Sequence, residues 1–280
     1  MDKKPSHART VIAYIVLIIL TFLCLFFFYI LLINCTRSHQ QIQHGFSFLP
    51  GSSFVKNFNN VIHDAKLPVL SGIKNSLIVS ACCAALATYF STLTAYGLYA
   101  YNFKLKKPAF IFIMLILVMP TQVSAMGFIN VITKMGMINT LYPLILPSVA
   151  APAVFYFMYS YMQSSLPLEL IEAARIDGCN EFKTFNRIVL PIMKPAIAVQ
   201  AIFAFVQNWN NYFIPALVLQ ENSKRTLPIL IAMLRSADFL KFDMGKVYML
   251  ITIAIVPIII VYIALSRYIV AGVALGGVKE

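Results

Sequence analysis

Two runs in this 280-residue chain carry residues equipped for chemistry. The first is Gln207, Asn208, Trp209, Asn210, Asn211 and Tyr212, four side-chain amides and two aromatic rings inside an otherwise apolar stretch. Amides donate and accept hydrogen bonds without carrying charge, so with aromatic faces they suit neutral, hydroxyl-rich solutes. A polyamine site would require acids and a phosphate site would require Arg or Lys, and the run contains neither. The second is Glu172–Ala196, EAARIDGCNEFKTFNRIVLPIMKPA, one of the few long stretches with a fair density of charge. Within it Gly178–Thr184 approaches a phosphate-binding loop, but the Gly that should precede Lys183 is missing, so no ATP site is expected. No Ser/His/Asp set or carboxylate pair lies in the apolar stretches, and the five cysteines show neither a metal-ligand spacing nor a disulfide framework. No metal and no cofactor are expected on this chain.

The elements that position these runs follow from composition. The chain is 60% hydrophobic and 11% charged, where soluble domains carry roughly a quarter charged residues. Six stretches, 11–33, 75–100, 109–133, 143–163, 196–219 and 247–266, contain no Asp, Glu, Lys, Arg or His. Each approaches or exceeds the ~20 apolar residues that cross a bilayer as a helix. They do not alternate apolar and polar residues as barrel strands do. The expected fold is an all-α membrane protein of six transmembrane helices. The apolar run after Lys3, Lys4 and Arg9 is too long for a signal peptide and lacks a small-residue cleavage site. The net charge of +12 is explained by lipid-headgroup anchors, so no nucleic-acid partner is expected.

With six spans, the 22 Lys and Arg divide twelve to ten between the two sides, which leaves the orientation to finer features. The basic N-terminus and the short Lys-rich loop NFKLKKP fall on the same side, and short basic loops are cytoplasmic. Both termini are therefore expected inside. The layout is a cytoplasmic N-terminus (1–10), a first helix (11–33), an external segment (34–74), a five-helix core (75–268) holding the charged loop 164–194, and a cytoplasmic tail (269–280).

Locally the charged loop reads as two helices and a corner. Ser164 and Ser165 are expected to cap the first, with Pro167 in its first turn, and Gly178 to stop it. Asn180 caps a second short helix that Pro191 ends. Leu168, Ile171 and Ala174 face the bundle; Glu172, Arg175 and Cys179 share another side. The loop is either an amphipathic connector on the headgroups or a docking element for a soluble partner. Acids at Glu169, Glu172, Asp177 and Glu181 suit the second. In the amide run, Gln200, Ala204, Gln207, Asn208, Asn211 and Pro215 fall on one stripe of an ideal helix. That stripe either lines a wet path or bonds helices together. Trp209 lies opposite, as packing or as a residue turned by a break near Pro215. Ser80, Ala84, Thr88, Ser91, Thr92 and Ala95 make a small-residue packing face on the second span.

The charged loop resembles the EAA loop of bacterial ABC importer permeases: E-A-A, three residues, G, nine residues, I-x-L-P. Glu172, Ala173, Ala174, Gly178, Ile188, Leu190 and Pro191 match it without a gap. FLPGSSFVKNFNNVI, WNNYFIPALVL and the closing GVALGGVKE are similar to the second membrane subunit of maltose-type carbohydrate importers. The resemblance implies a type I importer permease in the bacterial cytoplasmic membrane, moving a neutral sugar or oligosaccharide. It implies a homologous second permease, an extracytoplasmic solute-binding protein, and two ABC ATPase subunits that bind ATP and Mg. The loop, with Asp177, would be the coupling helix seated on an ATPase, and Gly276, Gly277, Val278 and Lys279 would reach between the ATPases. The alternatives are a related importer for another small solute, or a self-contained secondary transporter or channel. The latter usually carries an ionisable residue within the membrane, and these spans have none.

Overall fold

The computed structural model describes residues 7–236 and 242–276, with side chains described over 10–236 and 242–266. Every regular element among them is helical. Four helical stretches are long and apolar enough to cross a membrane, or six if each of two bent pairs counts as one span. The chain divides into two units, 1–67 with 231–256, and 68–230 with 257–280.

In the first unit, α1 (His7–Cys35) leaves most of its described apolar side chains exposed, Ile33 and Cys35 near its end being buried, the condition of a helix whose solvent is lipid. Past its end Arg37 is buried, donating to Asn34 Oδ1 at 3.1 Å, to the Gly45 carbonyl at 3.0 Å and to the Gln41 carbonyl. These bonds stand in for the water that a buried guanidinium loses. Ser38 and Gln41 form a reciprocal capping box on α2 (His39–Gln43). Buried Asn57, on α3 (Phe54–Ile62), donates to the Cys35 and Arg37 carbonyls, both at 2.9 Å.

The second unit is built around α4 (Val69–Ala100), which begins six residues before the expected span. Its small face is buried as expected: Ser80, Ala84, Thr88, Ser91, Thr92 and Ala95 are all at most 7% exposed. Small side chains let helix axes approach closely, and α4 packs there against α8 (Pro152–Ser165) and α12 (Lys194–Trp209). Between α4 and α8 lie α5 (Lys106–Val118), α6 (Thr121–Lys134), α7 (Tyr142–Ile145) and a 3₁₀ turn at Leu146–Val149.

Two expected spans are not continuous helices. The span over 109–133 bends by 100° between α5 and α6. Pro120 has no amide hydrogen and forces the residue before it out of the helical region; Met119 accordingly has ψ 124°. The span over 196–219 stops at Trp209 and resumes as α13 (Phe213–Val218). In a continuous helix the Pro215 ring would strike the Asn211 carbonyl, and the helix gives way over Asn210–Tyr212. The expected outer segment after Gln220 also has structure, with a 3₁₀ turn at Asn222–Lys224 and a helix (Leu227–Arg235) that buries Leu227 and Leu230. The last helix runs from Met244 to Gly276 with Pro257 inside it.

Candidate coupling surface and amide cluster

The charged loop folds as two helices about a corner, with local details that differ from the expectation. Ser164 and Ser165 belong to the end of α8, where Ser164 Oγ donates to the Tyr161 carbonyl at 2.9 Å, and neither is the N-cap of α9. The chain is extended at Pro167, which is the N-cap of α9 (Leu168–Ile176) instead of lying in its first turn. A residue preceding proline resists the helical region, so Leu166 ends one helix and α9 starts only after Pro167.

At the far end of α9, Gly178 has φ +76°, the left-handed conformation that costs glycine little. Its amide donates to Arg175, and the Cys179 amide donates to Ala174. These two bonds are the Schellman closure. Asn180 then caps α10 (Glu181–Thr184), its Oδ1 accepting from the Lys183 amide at 2.8 Å. Pro191 does not end this second helix. The chain passes through a π-helical turn at Phe185–Val189 and continues as α11 (Leu190–Ile192) before bending 80° into α12. A π turn shifts the hydrogen-bond ladder by one residue, and the ladder then tolerates a residue that cannot donate.

The resulting corner presents Glu172, Ala173, Asp177 and Gly178 at the surface, together with Ile176 at 87% and Phe182 at 73% exposure. Ala174 and Ile171 are buried, Ile188 and Leu190 are half-buried, and Pro191 is exposed. Leu168, expected against the bundle, is 40% exposed because α9 turns only Ile171 and Ala174 inward.

Behind the corner a polar cluster joins the two loop helices to α4. Arg175 Nε donates to Glu181 Oε1 at 2.8 Å, and Tyr96 Oη donates to Glu181 Oε2 at 2.8 Å. The Arg175 guanidinium lies 5.0 Å from the Tyr101 ring centre. Burial pushes the Glu181 carboxyl up, but hydrogen bonds from Tyr101, Tyr96 and Arg175 outweigh it and hold the group below the usual carboxylate range. The same bonding to Glu181 and Tyr101 raises Arg175 above its ordinary value. The sequence reading missed Tyr96, Tyr99 and Tyr101, whose signal was a cluster of tyrosines at the end of the second span. It also missed exposed Ile176 and Phe182.

The amide cluster straddles the break after α12. Gln207, Asn210 and Tyr212 are exposed, and Asn208 and Asn211 are half-buried. Asn208 Nδ2 donates to the Ala204 carbonyl one turn back at 2.8 Å, so part of this amide serves its own helix. Trp209 is 2% exposed and stacks on Phe205 with ring centres 5.7 Å apart. It is a packing residue, withdrawn from the surface its neighbours share. Among the described residues no His, Cys, Asp and Glu cluster could hold a metal ion. Gly276 ends the last helix, while Gly277, Val278 and Lys279 lie outside the described residues.

Residues 87–274 match the family model described as the binding-protein-dependent transport system inner membrane component. The chain is 35% identical over 232 residues to an arabinooligosaccharides transport system permease, AraQ, of Halalkalibacterium halodurans, covering 83% of this chain and 82% of that one. It is 29% identical over 269 residues to the lactose transport system permease LacG of Rhizobium radiobacter, covering 96% of each. A bacterial ABC transporter involved in import of the acidic polysaccharide alginate shares the fold, with a TM-score of 0.79 over 96% of this chain and 99% of that one at 18% identity. With an all-helical architecture, an unbroken E-A-A to I-x-L-P spacing and a model match over most of its length, the chain belongs to the binding-protein-dependent transport system inner membrane component family, the permease subunits of ABC transporters.

Proposed function

We propose that this chain is one permease of an ATP-driven importer that carries a neutral sugar or oligosaccharide across the cytoplasmic membrane of a bacterium. It would have six spans, α5 with α6 forming one and α12 with α13 another, and both termini inside. A homologous permease completes the path, an extracytoplasmic solute-binding protein delivers cargo, and two ATPase subunits hold ATP and Mg. This chain itself holds no cofactor. The tail from Gly276 to Lys279 reaches between the ATPases.

The observation that carries this reading is the Gly178 corner, with its exposed Ile176, Phe182 and Glu172. Two large apolar side chains beside acids, on a loop expected in the cytoplasm, suit a protein cleft better than an anionic headgroup layer. The cargo class rests on two features. Curated relatives are named for arabinooligosaccharides and lactose, and the amide cluster contains no charged side chain.

The test is Gly178→Val in the assembled transporter. A β-branched residue at φ +76° is strained, so the corner should lose its shape while the helices remain in the membrane. The expected result is normal membrane abundance with the ATPase lost from the purified complex or its hydrolysis no longer tied to uptake. A variant that retains the ATPase and transports normally removes the coupling assignment.

A further inference from the structure

Resting on that reading, we infer that a row of tyrosines on α4 clamps the coupling loop, making α4 the element that receives its movement. Tyr89, Tyr96 and Tyr99 follow one another at spacings of seven and three residues, which place them on one side of a helix. Tyr99 Oη donates to the Leu166 carbonyl at 2.8 Å, at the entry to the loop. Tyr96 Oη donates to the Glu181 carboxylate at 2.8 Å, just past the corner. Tyr89 Oη reaches Asn186 Oδ1 at 3.4 Å, in the π turn. The buried Phe185 ring lies 5.6 Å from that of Tyr89 and 5.7 Å from that of Tyr96, filling the space between the hydroxyl bonds.

These bonds matter because α9, which carries the exposed docking residues, has little apolar anchorage of its own. It buries only Ile171 and Ala174. Its tie to α4 runs through Arg175 to Glu181 and from Glu181 to Tyr96. A hydrogen bond to a charged acceptor is roughly twice as strong as a neutral one, and Tyr96, at 3% exposure, keeps its phenol out of water. An exposed Arg–Glu pair alone is worth little; the phenols of Tyr96, within α4, and Tyr101, at its end, tie it to a spanning helix. A pull on the corner therefore moves α4, which packs on α8 and α12 and whose buried small residues Thr92 and Ala95 stand one turn before Tyr96 and Tyr99. Tyr96, Tyr99 and Glu181 are positioning residues; none of them is placed on cargo or nucleotide.

The test measures the tie directly in the transporter purified with its ATPases. Spin labels at Ile78→Cys on α4 and Glu169→Cys on α9, in a background without the native cysteines, report one distance. In the otherwise unchanged chain that distance should stay narrow and keep the same mean without nucleotide and with ATP trapped by vanadate. In Tyr96→Phe/Tyr99→Phe, which keeps both rings, the distribution should broaden and its mean should shift on trapping. Glu181→Gln keeps an acceptor for Tyr96 and should restore the narrow distribution that Glu181→Leu loses. A narrow, nucleotide-independent distance in the double Phe variant, or equal behaviour of Gln and Leu at 181, overturns the clamp. If no ATPase copurifies with the unmodified chain, the proposed function fails, and the clamp's role fails with it.

Discussion

Gly245 packs directly beneath the Arg37 carbonyl. A methyl group built on Gly245 would stand 2.8 Å from that oxygen and 2.8 Å from the Asn57 amide nitrogen that donates to it. Both neighbours are fixed, one as backbone and the other by two hydrogen bonds. Glycine in a helix costs about 1 kcal/mol against alanine, so Gly245→Ala would stabilise an unencumbered helix. Here overpacking, typically about 1–3 kcal/mol, should win. The variant should melt several degrees below the unmodified protein in detergent; an equal or higher melting temperature would show that the contact yields freely.

The Asp64–Lys246 ion pair should make stability depend on pH. Both side chains are 17% exposed. Burial raises the Asp64 carboxyl, but the bond from Lys246 and the backbone amides of Lys66 and Leu67 outweigh it and hold the group below its ordinary range. A carboxylate depressed in the folded state adds stability above its unfolded value and loses it as pH falls through the folded one. Asp64→Asn should therefore destabilise the protein at neutral pH and make little difference under acid conditions. Melting curves at neutral and acid pH check this, and a constant deficit at both would remove the ion pair as its cause.

Asn211 should report whether the amide cluster lines a path. It is half-buried at the helix break before Pro215. Loss of one neutral hydrogen bond is worth about 1 kcal/mol, so Asn211→Ala should change uptake several-fold without abolishing it. Asn211→Asp introduces an uncompensated charge and should reduce uptake further with assembly intact. A cysteine at 211 should react with a water-soluble maleimide differently with and without trapped ATP. Absence of labelling in every state, with Asn211→Ala loosening the complex, would make the cluster helix–helix adhesive.

The stretch from Gln220 to Lys246 is expected to face the solute-binding protein. Ser223 lies in its 3₁₀ turn and Ser236 just after the helix that ends at Arg235. Ser223→Cys and Ser236→Cys should crosslink to the binding protein when ATP turnover is blocked. Crosslinks only to cytoplasmic proteins would reverse the orientation and move this contact elsewhere.

What the sequence determined by itself is what local chemistry decides. The absence of charge over helix-length stretches requires helices in lipid. The glycine at 178 marks a left-handed corner, and its φ is +76°. The small residues of α4 lie on its buried face because their spacing alone puts them together. Prolines show where that legibility ends. Pro120 breaks its span by 100° and Pro215 stands just after a break, yet Pro257 sits inside an unbroken helix and Pro191 is absorbed by a π turn. The missing amide is the same in each; whether the chain bends depends on what surrounds the unpaired carbonyl, which only the packed structure supplies. The tyrosine row and the burial of Trp209 were decided the same way. A phenol has no fixed role until a Glu181 carboxylate from elsewhere on the chain is brought against it, and Trp209, whose stack on Phe205 one turn back is local, is buried only by the helices packed around α12.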